Sequence, residues 1–361
     1  MNIIRVLLFP FACLYGLVTL MRNKLFDWHI LPSESFNIPI ISVGNLSYGG
    51  TGKTPHVEYL IRLLQKEFKV ATLSRGYGRK TKAFVLASEF SSFHEIGDEP
   101  LQYSQKFKGI DVAVDEKRRR GIRLLNNLNP DLNAILLDDA YQHRYVKPGL
   151  SILLTDFHKL YVNDYLIPTG TLREFRKGAK RADIIIITKT NVVLSPITKR
   201  RITNLIKPCK HQKLYFSHIK YAHKIALTDF IETPEKKKYN TIILFNGIAN
   251  SYPFQEHLRN YCSELIVIDF PDHHIYTEND LEKIKTTYLD VFSKNKIIFT
   301  TEKDAMRLIK TDLFERIKNL PIFYVPIEIK FHLGGEKGFD KQIVEYVKEN
   351  KRNSKLHSAT N

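Results

Sequence analysis

The stretch VGNLSYGGTGKTP at 43–55 constrains this chain more than any other part of it. It follows IPIISV, an apolar and partly β-branched run at 38–43. It precedes HVEYLIRLLQKEF, whose apolar residues recur at helical spacing, so the stretch marks a strand–loop–helix junction. Glycines at 49, 50 and 52 let backbone N–H groups turn around an anion. Lys53 supplies a compact positive charge for phosphate oxygens, and the Thr54 hydroxyl can ligate Mg²⁺. The helix that follows adds its dipole. Ser47, Tyr48, Gly49, Gly50, Thr51, Gly52, Lys53 and Thr54 therefore form the expected nucleotide-binding loop. It departs from the usual pattern in one respect, with Ser47 where a first glycine is common.

The rest of the chain suits a parallel sheet. KVATLSRGYGR, GIDVAVD, NAILLDD, LSILLTD and ADIIIITKTN are short, nearly continuous Val/Ile/Leu runs alternating with helical patterns. Such runs are buried on both faces. From 207 to 240 the texture becomes extended, aromatic and then basic, which reads as a connecting segment. A second α/β set follows, from TIILFNGIAN to IFYVPIEI. The expected organisation is an N-terminal helix over 1–28, a nucleotide-binding domain over 29–206 and a linker over 207–240. A second α/β domain with the C-terminal helix then covers 241–350, and a polar tail 351–361.

Cys13, Cys209 and Cys262 are too scattered for a disulfide framework or a zinc ribbon. With 55 Lys and Arg against 38 Asp and Glu, the charge of +17 points to an anionic partner. Nucleic acid, an acidic membrane and a phosphorylated substrate all qualify. The first residues, MNIIRVLLFPFACLYGLVTLMRNKLFDW, narrow the choice. No small-residue cleavage pattern follows them, which argues against a signal peptide. A helix of this length reaches about 30 Å, enough to span a bilayer. The basic residues and Trp28 behind it favour a helix lying in the interface, with a spanning helix or a buried core helix as alternatives.

Several groups could carry chemistry. NAILLDD ends in Asp138 and Asp139, at the carboxyl end of a strand where doubly wound sheets collect ligands. A carboxylate there is the usual second holder of Mg²⁺; the plainer reading is a cap on the next segment. Gln142 and His143 are placed to orient the pair. GDEP at 97–100 holds Asp98 in a turn that can aim a carboxylate at a site. SRGYGR suits either an anion-contacting loop or an ordinary turn, and DEKRRRG either a solvated helix face or a phosphate clamp. PDHH at 271–274 lacks the partners of a zinc site, and a histidine tuning a carboxylate base is the better reading. TTEKDAMR reads as a helix start capped by Thr301.

Taken in order, GNLSYGGTGKTP, SRGYGR, GDEP, DDAYQHR, TGTLRE, FNGIAN, FPDHH and TTEKDAMR resemble the tetraacyldisaccharide 4'-kinases. The likeness runs from the N-terminal helix to about residue 330, and it absorbs Ser47, because the family loop carries Ser or Thr there. It implies a phosphate-loop α/β/α domain joined by a β-stranded linker to a smaller α/β/α domain, with the first helix on the membrane. The implied reaction transfers the ATP γ-phosphate to the 4'-hydroxyl of a tetraacylated glucosamine disaccharide 1-phosphate, at the cytoplasmic face of the inner membrane. The resemblance also implies that Thr54, Asp138, Asp139 and Glu174 hold Mg²⁺, that Asp98 is the base and that His273 is its partner. Phe175 and Ala140-Tyr141 depart from the family's common Pro and Gly-Phe. The basic charge then serves an anionic membrane and a phosphorylated lipid, with no nucleic-acid partner. The rival readings are a switch ATPase acting on a protein partner and a nucleic-acid-dependent ATPase.

Overall fold

The computed structural model describes residues 3–228, 238–309, 311–332 and 334–358, without side chains for 3–6 and 351–358. The chain divides into two compact units, Lys220–Glu328 and the remainder.

The larger unit is built on a nine-stranded sheet. Its order is Ile327–Phe331, Lys213–Tyr221, Ile184–Thr188, Leu150–Asp156, Ile40–Asn45, Ala134–Asp138, Val70–Ser74, Asp111–Val114 and Val85–Leu86. The pairings from Lys213–Tyr221 to Asp111–Val114 are parallel, and the short edge strand Val85–Leu86 is antiparallel. Every residue of Ile40–Asn45 and of Ala134–Asp138 is buried, as expected for strands covered on both faces. One core contains Ile41, Val43, Leu60 and Leu136; another, centred on Ile40, Leu73, Ile135 and Leu137, contains side chains of the alternate parity. Later strands are laid down on the other side of Ile40–Asn45 from Val70–Ser74, so chain order reverses around it. A ligand site belongs at the carboxyl end of a strand so placed.

The smaller unit has a five-stranded sheet in the order Cys262–Asp269, Tyr239–Asn246, Lys296–Thr301, Ile322–Val325 and Ile225–Ala226. The first four are parallel and the last is antiparallel. Helices Tyr252–Arg259, Glu278–Asp290 and Glu302–Leu308 contribute to cores on its two faces. The expected mixed α/β fold with parallel sheets is what the chain adopts.

Two boundaries differ from the sequence reading. The span 207–240 is not a separate connector: Lys213–Tyr221 is a strand of the large sheet, and residues 229–237 lie outside the described residues. The C-terminal helix, Gly335–Ser358, belongs to the larger unit and not to 241–350. Phe339, Ile343 and Val347, spaced by four, enter the core that holds Ile41, Leu60 and Leu64. Tyr59 donates to Asp340 at 2.7 Å and Tyr346 to the Ile40 carbonyl at 3.2 Å, fixing the helix there. Its backbone continues to Ser358, into the stretch read as a tail.

Candidate active site

The phosphate loop begins where Ile40–Asn45 ends and leads into helix Lys53–Leu64. Gly52 stands at φ 84° before the helix, in the left-handed region that glycine enters without strain. Lys53 and Thr54, as the first helical residues, have N–H groups with no intrahelical acceptor, the donors an anion needs. Three successive carbonyls of the loop are tied back by side chains. Lys189 donates to Gly50, Thr188 to Thr51 at 2.9 Å, and His56 Nδ1 pairs with the Gly52 carbonyl at 2.7 Å. In a trans peptide the N–H points away from the C=O, so holding a carbonyl fixes the direction of the next N–H. Asn45 adds a bond to the Thr51 hydroxyl at 2.8 Å. His56 is wholly buried, its pKa pushed down to about 4 by burial, so it acts as a neutral strut. Ser47 is buried and bridges Leu172, and the Tyr48 N–H is spent on the Thr171 carbonyl at 2.6 Å. These two residues therefore anchor the loop's entry.

Asp138 and Asp139 follow on the neighbouring strand and behave differently. Asp139 sits at φ 47°, a strained position for a non-glycine residue, and such strain concentrates at functional sites. It lies 3.6 Å from Lys53 and 3.0 Å from Arg173. Asp138 is buried. Its Oδ2 accepts from the Tyr103 hydroxyl at 2.9 Å, while its Oδ1 has no partner. Burial, then the negative charges of Glu99 and Asp139, push its pKa up to about 6. A buried carboxylate oxygen with no donor, beside a second carboxylate, fits a magnesium ion. Mg²⁺ commonly takes one or two carboxylates and completes its shell with phosphates and water. No group of three or more His, Cys, Asp or Glu poised for a metal occurs among the described residues.

Glu174, the fourth residue expected to hold the ion, is bound within the chain, as Asp139 is by Arg173. Its Oε1 accepts from Arg181 at 2.7 Å and from Gln142 at 3.3 Å, and its Oε2 from Asn23 at 2.8 Å. Both oxygens are thus engaged within the chain, and Glu174 ties the N-terminal helix to the site. Gln142 bridges Glu174 to the Asn45 carbonyl and receives Arg173, which also holds Asp139. His143 is held near pKa 4 by burial and by the positive charges of Arg118, Arg22, Arg119 and Arg75. Arg75 of SRGYGR and Arg118 and Arg119 of DEKRRRG therefore act on one place, a convergence that spacing did not reveal.

Asp98 opens helix Asp98–Lys106 immediately after Gly97, whose φ of 91° and 2.7 Å Cβ-to-Tyr77-carbonyl approach exclude a side chain. A carboxylate there is favoured by the helix dipole. The same helix carries Tyr103, which reaches Asp138, and Lys106 and Gln102, which both reach buried Glu58 at 2.7 Å. The element presenting Asp98 is thereby clamped to the Asp138 strand and to the phosphate-loop helix.

In the smaller unit His273 also has positive φ, 59°. Arg307 Nη2 stands 3.2 Å from its Nδ1, which makes that nitrogen the acceptor and leaves the proton on Nε2. Arg307 is fixed in turn by Asp304 at 2.9 Å and by the Gly247 carbonyl at 3.0 Å. Thr301 does cap its helix, yet Asp304 and Arg307 also form a buried pair behind the histidine. His274 faces Asp280 at 2.9 Å and stacks on Phe270, a structural arrangement.

The N-terminal helix, Ile3–Asp27, docks by one side. Tyr15 donates to the Arg173 carbonyl, Arg22 to the Gln142 carbonyl and Asn23 to Glu174. Its other side exposes Leu7, Phe9, Phe11, Leu14, Leu17, Val18 and Met21. Among the described residues no helix is long and apolar enough to cross a membrane.

Residues 4–348 match the family model for tetraacyldisaccharide-1-phosphate 4'-kinases. A relative from Flavobacterium johnsoniae, named tetraacyldisaccharide 4'-kinase, is 46% identical over 97% of this chain and 99% of its own. One of the same name from Bacteroides thetaiotaomicron is 44% identical, over 98% and 96%. The fold is similar to that of LpxK from Aquifex aeolicus, solved in complex with ATP. That match has a TM-score of 0.73 and 29% identity and covers 96% of this chain and all of the other.

Proposed function

The chain belongs to the tetraacyldisaccharide-1-phosphate 4'-kinase family, and from that premise we propose how its residues divide the work. The enzyme transfers the γ-phosphate of ATP to the 4'-position of a tetraacyldisaccharide 1-phosphate in lipid A biosynthesis. Phosphoryl transfer asks for alignment and charge neutralisation more than for covalent catalysis. The observation that carries the reading is the phosphate loop at the reversal point of the sheet, with Lys53 opening the helix that follows it and Asp138 and Asp139 at the adjoining strand end.

In this reading the N–H groups at the start of helix Lys53–Leu64, with the Lys53 ammonium, hold the phosphates. Thr54, Asp138 and Asp139 would hold Mg²⁺, which would supply charge neutralisation for the phosphates. Asp98 takes the proton of the sugar hydroxyl as it attacks, and His273, whose Nδ1 accepts from Arg307, has the assisting role that the family resemblance assigns to it. Glu174, Gln142 and Arg173 position Asp139 and the N-terminal helix. The exposed apolar side of that helix rests in an anionic membrane, on the cytoplasmic face where ATP is available.

The test is transfer of label from γ-labelled ATP to tetraacyldisaccharide 1-phosphate in detergent micelles with Mg²⁺. Label in the lipid is expected. Release of free phosphate with unlabelled lipid, where a related kinase labels it, would support the switch ATPase instead.

A further inference from the structure

From Ile184 to Ile219 the sequence holds seven Lys and Arg and no Asp or Glu. In the middle of this one-signed segment three large apolar side chains stand in water: Val192 is 68% exposed, Val193 86% and Ile197 82%. Single exposed apolar residues are ordinary, but three within six positions form a patch. Helix Pro196–Ile206 organises what lies behind them. Ile202 and Ile206 are buried against the larger unit and the Lys199 ammonium lies 5.7 Å from the Phe216 ring centre, so that side faces inward. Ile197, Arg200 and Arg201 are spaced by three and four and share the outward side. The result is an apolar tip backed by guanidinium groups.

The patch also has a definite place. It leaves the sheet directly after Thr188 and Lys189, the residues that hold the carbonyls of Thr51 and Gly50. It therefore emerges at the sheet edge that carries the phosphate loop. The N-terminal helix docks at the same edge, through Gln142, Arg173 and Glu174.

We infer that residues 191–201 are a second membrane-contact element, with Val192, Val193 and Ile197 entering the headgroup region and Arg200 and Arg201 holding anionic headgroups. The occupant is an anionic bilayer surface, because the segment offers apolar insertion and unopposed positive charge together, the two signals that stable peripheral binding requires. The inference rests on the lipid-kinase reading and extends it: two separate contacts would fix the orientation of the phosphate loop toward the bilayer, where one helix leaves rotation about its own anchor.

Full-length chain is tested for co-sedimentation with equimolar phosphatidylcholine–phosphatidylglycerol vesicles. The variants are Val192→Ser/Val193→Ser/Ile197→Ser and Arg200→Glu/Arg201→Glu. All five positions are solvent-exposed, so melting curves should match wild type. Each variant is expected to partition about tenfold more weakly. Each should also raise KM for substrate embedded in vesicles while leaving turnover in detergent micelles unchanged. Variants that bind as tightly as a vesicle-bound wild type overturn this inference and leave the N-terminal anchor standing. A wild type absent from the vesicle pellet overturns the membrane reading itself, and this inference with it.

Discussion

Replacing Asp138 with Asn separates the electrostatic cost of this carboxylate from its use. Without a cation, Asp138 is a buried group whose folded pKa is raised from 3.8 to about 6. A raised carboxyl pKa means the unfolded chain ionises first, so the folded state loses stability as pH climbs from the unfolded value through the folded one. The shift of about two units corresponds to roughly 3 kcal/mol in full, of which about 1.4 kcal/mol falls between roughly pH 5 and pH 8. Asn cannot ionise, and the penalty for burying its NH₂ group is independent of pH. The difference in unfolding free energy between wild type and Asp138→Asn, from urea titrations without Mg²⁺, should therefore move by about 1.4 kcal/mol in favour of the variant over that range. Adding Mg²⁺ should stabilise the wild type and not the variant, because a ligand that binds only the folded state raises its stability. A difference that stays flat with pH would refute the account of Asp138 as a carboxylate awaiting a cation.

Lys53→Ala should lower kcat roughly 100- to 1,000-fold while leaving the circular dichroism spectrum unchanged, since it removes charge from the transferring phosphate. Thr188→Val keeps the shape of the side chain and frees the Thr51 carbonyl; KM for ATP should rise about fivefold, the loss of one hydrogen bond. Asp98→Asn should depress kcat far more than it changes KM for ATP, and an unaltered kcat in steady-state assays would remove Asp98 from proton transfer. Arg307→Met strands Asp304 as a buried charge and should destabilise the chain by about 3–5 kcal/mol in urea titrations. Adding Asp304→Asn to that variant should recover part of the loss.

The sequence carried the phosphate loop, the strand-end carboxylates and the family because each depends on local pattern. A glycine-rich turn between a β-branched run and an amphipathic helix has few other uses. The fate of the last helix was not legible: Phe339, Ile343 and Val347 mark an apolar stripe, but a stripe does not say which core it enters. The run 207–240 misled because Lys213–Tyr221 is only partly buried and mixes basic with aromatic residues, the texture of a connector, although it pairs with Ile184–Thr188. Glu174 looked like a ligand by its place in the motif, and only side-chain geometry shows both oxygens taken by Arg181, Gln142 and Asn23. The buried Asp304–Arg307 pair hid behind a capping pattern that is itself real. The carbonyl ties from Lys189 and Thr188 come from residues 139 and 137 positions away, beyond any local reading.

The central claim is that the phosphate held by the loop is delivered to the 4'-hydroxyl of a lipid. Tandem mass spectrometry of the product made from ATP and tetraacyldisaccharide 1-phosphate tests it most directly. The account predicts one added phosphoryl group, on the glucosamine distal to the existing phosphate. An unmodified lipid, or a second phosphate attached to the first as a diphosphate, would contradict it.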